Sequence, residues 1–304
     1  KPAAMPQSLS GGGATGPTSA EKNISLPAAL LGVEEATALT EWVLHCAAQA
    51  LEHPTAGRSE AEKVLGKVLH WLAPPVSSQA LAMVAVSGFP GALVRAIRKY
   101  RNEPAAAALA CVAAVRSAGS SEVALAHMRA GAIEEVGGLM DRHPSHGGVQ
   151  NVCLLLLSSL MKDATAARQA VSLGLVAKVL RAMESTLGRE VQLNGLVALR
   201  LLADSGRAPR AGLQEAAMRA KVAHQSDSAV CATANDVLAL VTPRFKEVLC
   251  WHWQNGWCKL GPRCTYAHGP SDLRGGGDVS QRVEEPGRPQ RQGAEEQRQR
   301  TTRQ

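Results

Sequence analysis

Apolar residues recur along most of this chain at the three- and four-residue spacing of amphipathic helices, and the helices themselves form a repeating pattern. Segments around Gly88, Gly131 and Gly174 align with one another, and 43 residues separate each glycine from the next. A short helix is predicted before each glycine, and an apolar helix, a polar turn and a longer helix after it. The longer helices are predicted near residues 105–116, 149–161 and 191–203. The pattern therefore predicts repeated units of three helices.

Less regular helices are predicted on both sides of these units. They lie at residues 39–51 and 60–72 upstream and at 213–224 and 229–241 downstream, where Pro243 ends the last one. The helical array is thus predicted to span residues 28–242. Residues 1–27 are rich in Gly, Ser, Pro and Ala, and residues 271–304 in Gly, Arg, Gln and Glu. Because both segments lack the aliphatic residues of a core, we expect them to be disordered.

The order of a short helix, a glycine and two longer helices resembles the armadillo repeat. This resemblance implies an all-α fold, a right-handed helical solenoid in which each unit buries its apolar faces against its neighbours. It also implies a platform for a protein partner. The Trp and Asn ladders with which importin-type members bind basic peptides are not matched here, so a nuclear-import receptor is not expected. A plain helical bundle is the alternative architecture.

Composition adds little to this picture. Aromatic residues make up only 3% of the chain, which suits closely packed helices. No apolar run approaches the roughly 20 residues of a membrane span, and no secretory segment opens the chain. Four scattered cysteines are predicted to be buried thiols of a reducing compartment: Cys46, Cys111, Cys153 and Cys231. A cytoplasmic or nuclear location is therefore expected. The net charge of +7 is compatible with nucleic acid but is widely spread.

The candidate chemistry lies near the C-terminus, in the segment CWHWQNGWCKLGPRCTYAHG. It contains four potential metal ligands with the spacing C-x7-C-x5-C-x3-H: Cys250, Cys258, Cys264 and His268. Three thiolates and one imidazole can complete a tetrahedral zinc shell. Because so short a segment has too little apolar surface to fold alone, metal binding supplies its folding free energy. The sequence predicts a finger at residues 243–270 that holds one structural Zn²⁺.

The order of these ligands resembles the CCCH zinc-finger family. The approach RFKEVLC is similar to the RYKTELC of tristetraprolin-type fingers, and the exit CTYAHG is similar to the family's Cys-x-Phe-Ala-His-Gly. The resemblance implies binding of single-stranded RNA, with bases stacked on finger aromatics. By position Tyr266 is one stacking residue, whereas Leu260 stands where the family has a second aromatic. The first loop is one residue shorter than in tristetraprolin, and the finger is single rather than tandem.

Rings and cations are concentrated in this segment. Five of the nine aromatic residues lie between Phe245 and Tyr266. Rings beside cations suit a single-stranded nucleic acid, because bases stack on the rings and phosphates attract the cations. The predicted RNA-binding residues are Tyr266, Phe245, Lys246, Arg244, Lys259, Arg263 and Trp253. Alternatively, the three tryptophans form the small core of the finger or pack it on the helices, and Trp257 is the one most expected to be structural.

No catalytic motif is found in the sequence, and four protein ligands leave a zinc ion no open position for an activated water. The chain is therefore not expected to be an enzyme. Two functions remain open. The first is a zinc-dependent single-stranded RNA-binding protein whose helical repeats recruit a protein partner in post-transcriptional regulation. The second is a protein-interaction adaptor whose finger docks a protein or braces the solenoid, which Leu260, the single finger and the additional tryptophans favour.

Overall fold

The computed structural model describes residues 25–34, 39–205, 210–242 and 245–274. These residues form α-helices joined by short turns, with two short 3₁₀ turns near the C-terminus and no β-strand within the described ranges. The prediction of an all-helical chain is therefore confirmed for this part of the protein. Residues 1–24 and 275–304 lie outside the described residues, and they make up most of the two segments that were predicted to be disordered.

The helices belong to two compact units, one ending at Ala126 and the other beginning at His127. The first unit contains α1 (Leu26–Glu34), α2 (Glu41–Glu52), α3 (Arg58–Trp71), α4 (Ser78–Val86), α5 (Phe89–Lys99) and α6 (Pro104–Ser117). Helix α7 (Ser121–Arg129) includes the boundary. The second unit contains α8 (Ala132–Arg142), α9 (Gly147–Leu160), α10 (Ala164–Ser172), α11 (Leu175–Ser185), α12 (Arg189–Asp204), α13 (Arg210–Ala223), α14 (Ser228–Val241) and α15 (Trp251–Gln254).

The three aligned glycines occupy the same place in three successive repeats. Gly88, Gly131 and Gly174 each precede the second helix of a repeat in the left-handed conformation, with φ of 72°, 86° and 72°. Glycine adopts this conformation without the steric cost that a Cβ atom imposes. In the first unit, the two helices joined by Gly88 differ in direction by 71°. The 43-residue spacing thus has a backbone cause, and each of the three repeats has the predicted helix order.

Within each unit, helices that hold equivalent places in successive repeats pack against one another. Helix α2 packs on α5 and α3 on α6 in the first unit, whereas α9 packs on α12 and α8 on α11 in the second. The contact faces are apolar, and Phe89, Leu93 and Ile97 of α5 are fully buried. Helices α13 and α14 continue the same arrangement, since α13 packs on α11 and α14 on α12.

Two buried glutamines close the turn between the second and third helices of their repeats. Gln150 Nε2 donates to the carbonyl oxygens of Met140 (2.9 Å) and His143 (2.8 Å). Gln192 Nε2 donates in the same way to Met183 (2.6 Å) and Thr186 (2.8 Å). These carbonyls lie at a helix C-terminus and lack intrahelical partners. Neither role is predicted from the sequence, because a glutamine at the start of a helix is usually a surface residue.

The predicted N-terminal boundary of the helical region was two residues too late. Residues 1–27 were expected to be disordered, yet α1 begins at Leu26. This helix has only nine residues, which is too short a segment for apolar periodicity to identify. Its Ala29 and Val33 are nevertheless buried, and the helix packs on α2. The first unit therefore opens with a set of three helices, α1 to α3, where the sequence predicted two.

Among the described residues, no single helix combines the length and the apolar composition needed to cross a membrane. Helices α4 and α5 meet the length and composition criteria only when they are taken together across their bend.

Replacing Gly131 with alanine should lower the free energy of unfolding by about 1–2 kcal/mol, because an alanine at φ 86° brings its Cβ close to the carbonyl oxygen. The space around the residue is sufficient, since the nearest atom to an added Cβ is Glu134 Oε2 at 3.7 Å. Gly138→Ala is the matched control: this glycine lies inside α8 with no atom within 4 Å of an added Cβ, so the change should stabilise by roughly 0.5–1 kcal/mol. Urea unfolding of the two variants measures the difference, and equal stabilities would contradict the argument.

Candidate metal centre and nucleic-acid interface

Two backbone hydrogen bonds bring the ends of the finger together. Leu249 and Ala267 form an isolated parallel bridge, in which Ala267 N donates to Val248 O (2.9 Å) and Cys250 N donates to Ala267 O (2.7 Å). The bridge places the first cysteine beside the segment that carries the last two ligands. Between these ends the chain makes the one-turn helix α15 and a 3₁₀ turn at Gly261–Arg263.

Glycines permit the tight turns that lead to the ligands. Gly256, two residues before Cys258, has φ of 120°, and Gly261, between Cys258 and Cys264, has φ of 49°. Both values lie where a side chain is disfavoured.

The four predicted ligands converge on one point. The ligand atoms of Cys250, Cys258, Cys264 and His268 all lie within 4.8 Å of one another. Cys250 Sγ and Cys264 Sγ are 3.7 Å apart, which fits the separation of about 3.8 Å expected for two sulfurs on a tetrahedral zinc ion with bonds near 2.3 Å. The three thiols are buried, and His268 Nε2 is buried without a hydrogen-bond partner. The site is therefore arranged to bind one metal ion, in keeping with one Zn²⁺.

Burial and neighbouring groups shift the pKa values of the ligand side chains in different directions. Burial raises the pKa of the Cys264 thiol to about 12, so its thiolate forms when a cation replaces the proton. The pKa of Cys258 is lowered instead: burial opposes this direction, but the Leu260 N–H group and the neighbouring thiols outweigh it. Burial also lowers the pKa of His268, which keeps the imidazole neutral as a metal ligand requires.

Lys246 is a structural residue of the finger, which corrects its prediction as an RNA contact. The side chain is 4% exposed, and its Nζ donates to Tyr266 O (2.8 Å) and pairs with Asp272 Oδ2 (2.5 Å). The same carboxylate oxygen accepts the His268 N–H group at 2.8 Å. The lysine therefore links the approach to the finger with Tyr266 and, through Asp272, with the last ligand, His268.

The finger also extends further than predicted. Residues from 271 onward were assigned to a disordered tail, yet Pro270–Asp272 form a 3₁₀ turn and Asp272 holds Lys246 and His268. Arg274 N then donates to Lys246 O at 2.8 Å. The prediction was wrong for residues 271–274, because an aspartate in a polar segment gives no sign that a buried lysine lies opposite it.

Phe245 is likewise buried and is not available to stack on a base. It is 2% exposed, and Lys221 Nζ of α13 lies 5.9 Å from the centre of its ring. This placement corrects its prediction as an RNA-binding residue. The finger makes two further contacts with the helices: α13 contacts the Gly261–Arg263 turn, and Arg274 Nη1 donates to Ala239 O of α14 at 3.4 Å. With the Phe245 contact, these pack the finger directly on the last two helices.

The remaining predicted RNA-binding residues differ in where they lie. Arg244 is outside the described residues. Lys259 and Arg263 are exposed, and Tyr266 is 45% exposed. Trp253 is 47% exposed and stacks on the ligand His268, with ring centres 4.6 Å apart and planes 6° from parallel. The structure thus brings Tyr266, Trp253 and two cations to the surface of one small finger.

Trp257 does not have the structural role that was expected of it. It is 65% exposed, more than Trp251 (38%) or Trp253 (47%). Proximity to Cys258 in sequence suggested a core residue, but the buried interior of the finger is formed by the cysteines, Ala267 and the lead-in segment instead. Trp253, which covers one face of a ligand ring, is the tryptophan closest to a structural role.

Comparison with known families agrees with this geometry. Residues 245–270 match the family described as zinc finger C-x8-C-x5-C-x3-H type (and similar). Seven residues, rather than eight, separate the first two ligands here. The match and the ligand cluster indicate a CCCH zinc finger, a class that suggests zinc-dependent nucleic-acid binding. Comparisons with curated proteins and with solved structures gave no match.

Proposed function

We propose that this chain is a zinc-dependent single-stranded RNA-binding protein of the cytoplasm or nucleus that acts in post-transcriptional RNA regulation. The observation that carries the proposal is the exposed Tyr266 ring on a metal-organised finger, three residues after Arg263. Base–aromatic stacking is worth about 1–3 kcal/mol per base and does not require a particular sequence. Nearby exposed cations add phosphate attraction that weakens with salt.

The orientation of Tyr266 supports a binding role. Its backbone carbonyl accepts from Lys246 Nζ, while its ring is left at the surface. Holding the backbone in this way reduces the conformational entropy that the residue loses when a base stacks on it. Trp253 offers a second exposed ring that is fixed from below by His268. Lys246 thus holds the backbone of Tyr266, and the ligand His268 supports the ring of Trp253, while both aromatic residues stay exposed.

The helical repeats form the second part of the proposal, an armadillo-like right-handed solenoid that recruits a protein partner. Its support is the helix order around the left-handed glycines and the packing of equivalent helices in successive repeats. A non-catalytic role for the chain goes with this proposal. Four protein side chains converge on the metal position, and this number suits a structural zinc ion rather than a catalytic one.

Tyr266→Ala should weaken binding of the full chain to single-stranded RNA by roughly 5- to 150-fold, which corresponds to the loss of one stacked base. Fluorescence anisotropy with a pool of labelled RNAs, about ten nucleotides long, measures the change. Zinc content must stay at one ion, and Tyr266→Phe should restore most of the affinity. Trp42→Ala is the control, since this tryptophan is 52% exposed on α2 in the other compact unit. An affinity that is unchanged by Tyr266→Ala would refute the stacking role.

A protein-interaction adaptor is the second candidate function, and one observation favours it. The finger is packed on α13 and α14 through Phe245 and the Gly261–Arg263 turn. A finger that serves to brace the last helices would need such contacts even without RNA. RNA affinity separates the two functions, and the thermal stability of these helices with and without metal tests whether the finger braces them.

A further inference from the structure

A large cleft lies between the finger and the helices on which it packs. Its volume is about 790 Å³, and one wall is the second loop of the finger, residues 258–263. The opposite wall is formed by α13 and the end of α11. The volume falls within the range of about 300–1,000 Å³ that is typical of pockets for small organic groups.

The walls of the cleft are largely aliphatic. Leu260 contributes from the finger, and Leu187 and Val222 contribute from the helical side. These residues are 53%, 70% and 43% exposed, so a flat apolar group could cover surface that is now in contact with water. Removal of such apolar surface from water favours a bound apolar group.

The charges at the cleft are distributed unequally between its walls. Lys259 and Arg263 lie on the finger side, and both are exposed. On the helical side Arg219 pairs with Glu184 at 3.1 Å, and Glu215 adds one further carboxylate. The finger wall therefore attracts an anion, while Glu215 on the helical wall offers a carboxylate acceptor to an N–H group.

We propose that this cleft takes one nucleotide from the single-stranded RNA that the finger binds. Its base covers the aliphatic walls, its phosphate faces Lys259 and Arg263, and an N–H donor of the base faces Glu215. A nucleotide combines a flat base, an anionic phosphate and N–H donors on the edge of the base, which is the combination that the cleft accommodates. The inference rests on the proposed RNA-binding function and adds the helical repeats to the RNA surface.

The proposal is tested in the full-length chain with a bulky side chain that fills part of the cleft from its helical wall. Ala223, an exposed residue at the end of α13, lines the cleft, so Ala223→Trp occupies part of its volume. We expect this variant to weaken RNA binding by roughly 5- to 150-fold, as for the loss of one bound base. The matched control is Ala232→Trp, which adds the same ring to an exposed alanine in the middle of α14, away from the residues that line the cleft. Its affinity should equal that of the wild type.

A second variant guards against indirect effects of the bulky ring. Val222→Glu leaves the cleft open but places a carboxylate opposite the cations of the finger, and it should also weaken binding. Both variants must retain one zinc ion and the wild-type melting temperature. Unchanged RNA affinity in both would overturn the proposal for the cleft.

The outcomes separate this inference from the function on which it rests. If Tyr266→Ala weakens binding while Ala223→Trp and Val222→Glu do not, the finger binds RNA and the cleft does not. If the wild-type chain binds no RNA, both proposals fail. A photoreactive side chain at Met218, which also lines the cleft, should form crosslinks to the labelled RNA. Crosslinks to a protein or peptide, with none to the RNA, would assign the cleft to a protein ligand and would overturn the proposal.

Discussion

Removal of zinc, or replacement of Cys264 by alanine, is expected to unfold the finger and to lower the thermal stability of α13 and α14. Structural zinc contributes apparent binding free energies of about 10–16 kcal/mol in short fingers at neutral pH, and that energy is folding free energy. Apart from the cysteines, few residues of the finger have buried apolar side chains, chiefly Phe245, Val248, Leu249 and Ala267. These contacts are too few to hold the finger without the metal.

The effect should reach the helices because the finger packs on them. Loss of the finger uncovers the α13 surface next to Phe245 and removes the hydrogen bond from Arg274 to the Ala239 carbonyl of α14. Hydrogen exchange of α13 and α14, measured with zinc and after chelation, detects the change separately from the rest of the chain. Cys111→Ala is the control, since this thiol of α6 belongs to the other compact unit and lies outside the metal cluster.

The exchange rates of α13 and α14 after chelation decide whether the finger braces these helices. Faster exchange in α13 and α14 after chelation would support a bracing role for the finger, and it would still be compatible with RNA binding. Unchanged exchange in these helices, with the finger itself unfolded, would argue against bracing and leave the RNA proposal as the function of the finger.

Lys246→Ala is expected to destabilise the finger by about 3 kcal/mol, the lower end of the range for removing one member of a buried ion pair. The lower end applies because Lys246 is buried whereas the Asp272 side chain is 31% exposed. The substitution also removes the donor to Tyr266 O. We expect a weaker zinc affinity in competition with a chelator and a lower midpoint for unfolding of the finger.

Lys259→Ala is the matched control, because this lysine is exposed on the same finger. It should leave zinc affinity and stability unchanged, yet it should lower the salt dependence of RNA binding by about one phosphate contact. Lys246→Ala, saturated with zinc, should leave that salt dependence unaltered. The reverse pattern would restore Lys246 to the RNA surface and contradict its structural role.

Local sequence signals predicted the parts of this protein in which a residue's role depends on its immediate neighbours. The glycines at 43-residue intervals marked left-handed turns because only the adjacent backbone decides whether a Cβ atom is tolerated there. By contrast, the start of α3 was predicted two residues too late. It was predicted at residue 60 but lies at Arg58, where Glu60 Oε2 accepts the Gly57 N–H group at 3.1 Å. Because glycine has no side chain that could cap the helix, the sequence gives no N-cap signal at Gly57.

The residues that sequence alone misjudged are those whose role depends on distant partners. Phe245 and Lys246 resemble an aromatic and a cation available to RNA until α13 and Asp272 are seen to cover them. Gln150 and Gln192 resemble surface residues until the carbonyls of the preceding helices are placed beside them. In each case burial follows from packing between segments that no short motif relates.

For this chain, the sequence alone determined the repeated helices and the four metal ligands, since periodicity, glycine spacing and ligand chemistry are local properties. Only the tertiary structure decided which rings and cations of the finger remain exposed. It also joined the finger to α13 and α14 and so created the cleft at their boundary. The physical reason is that exposure is a property of the assembled chain: packing removes Lys246 from water and leaves Tyr266 in contact with it.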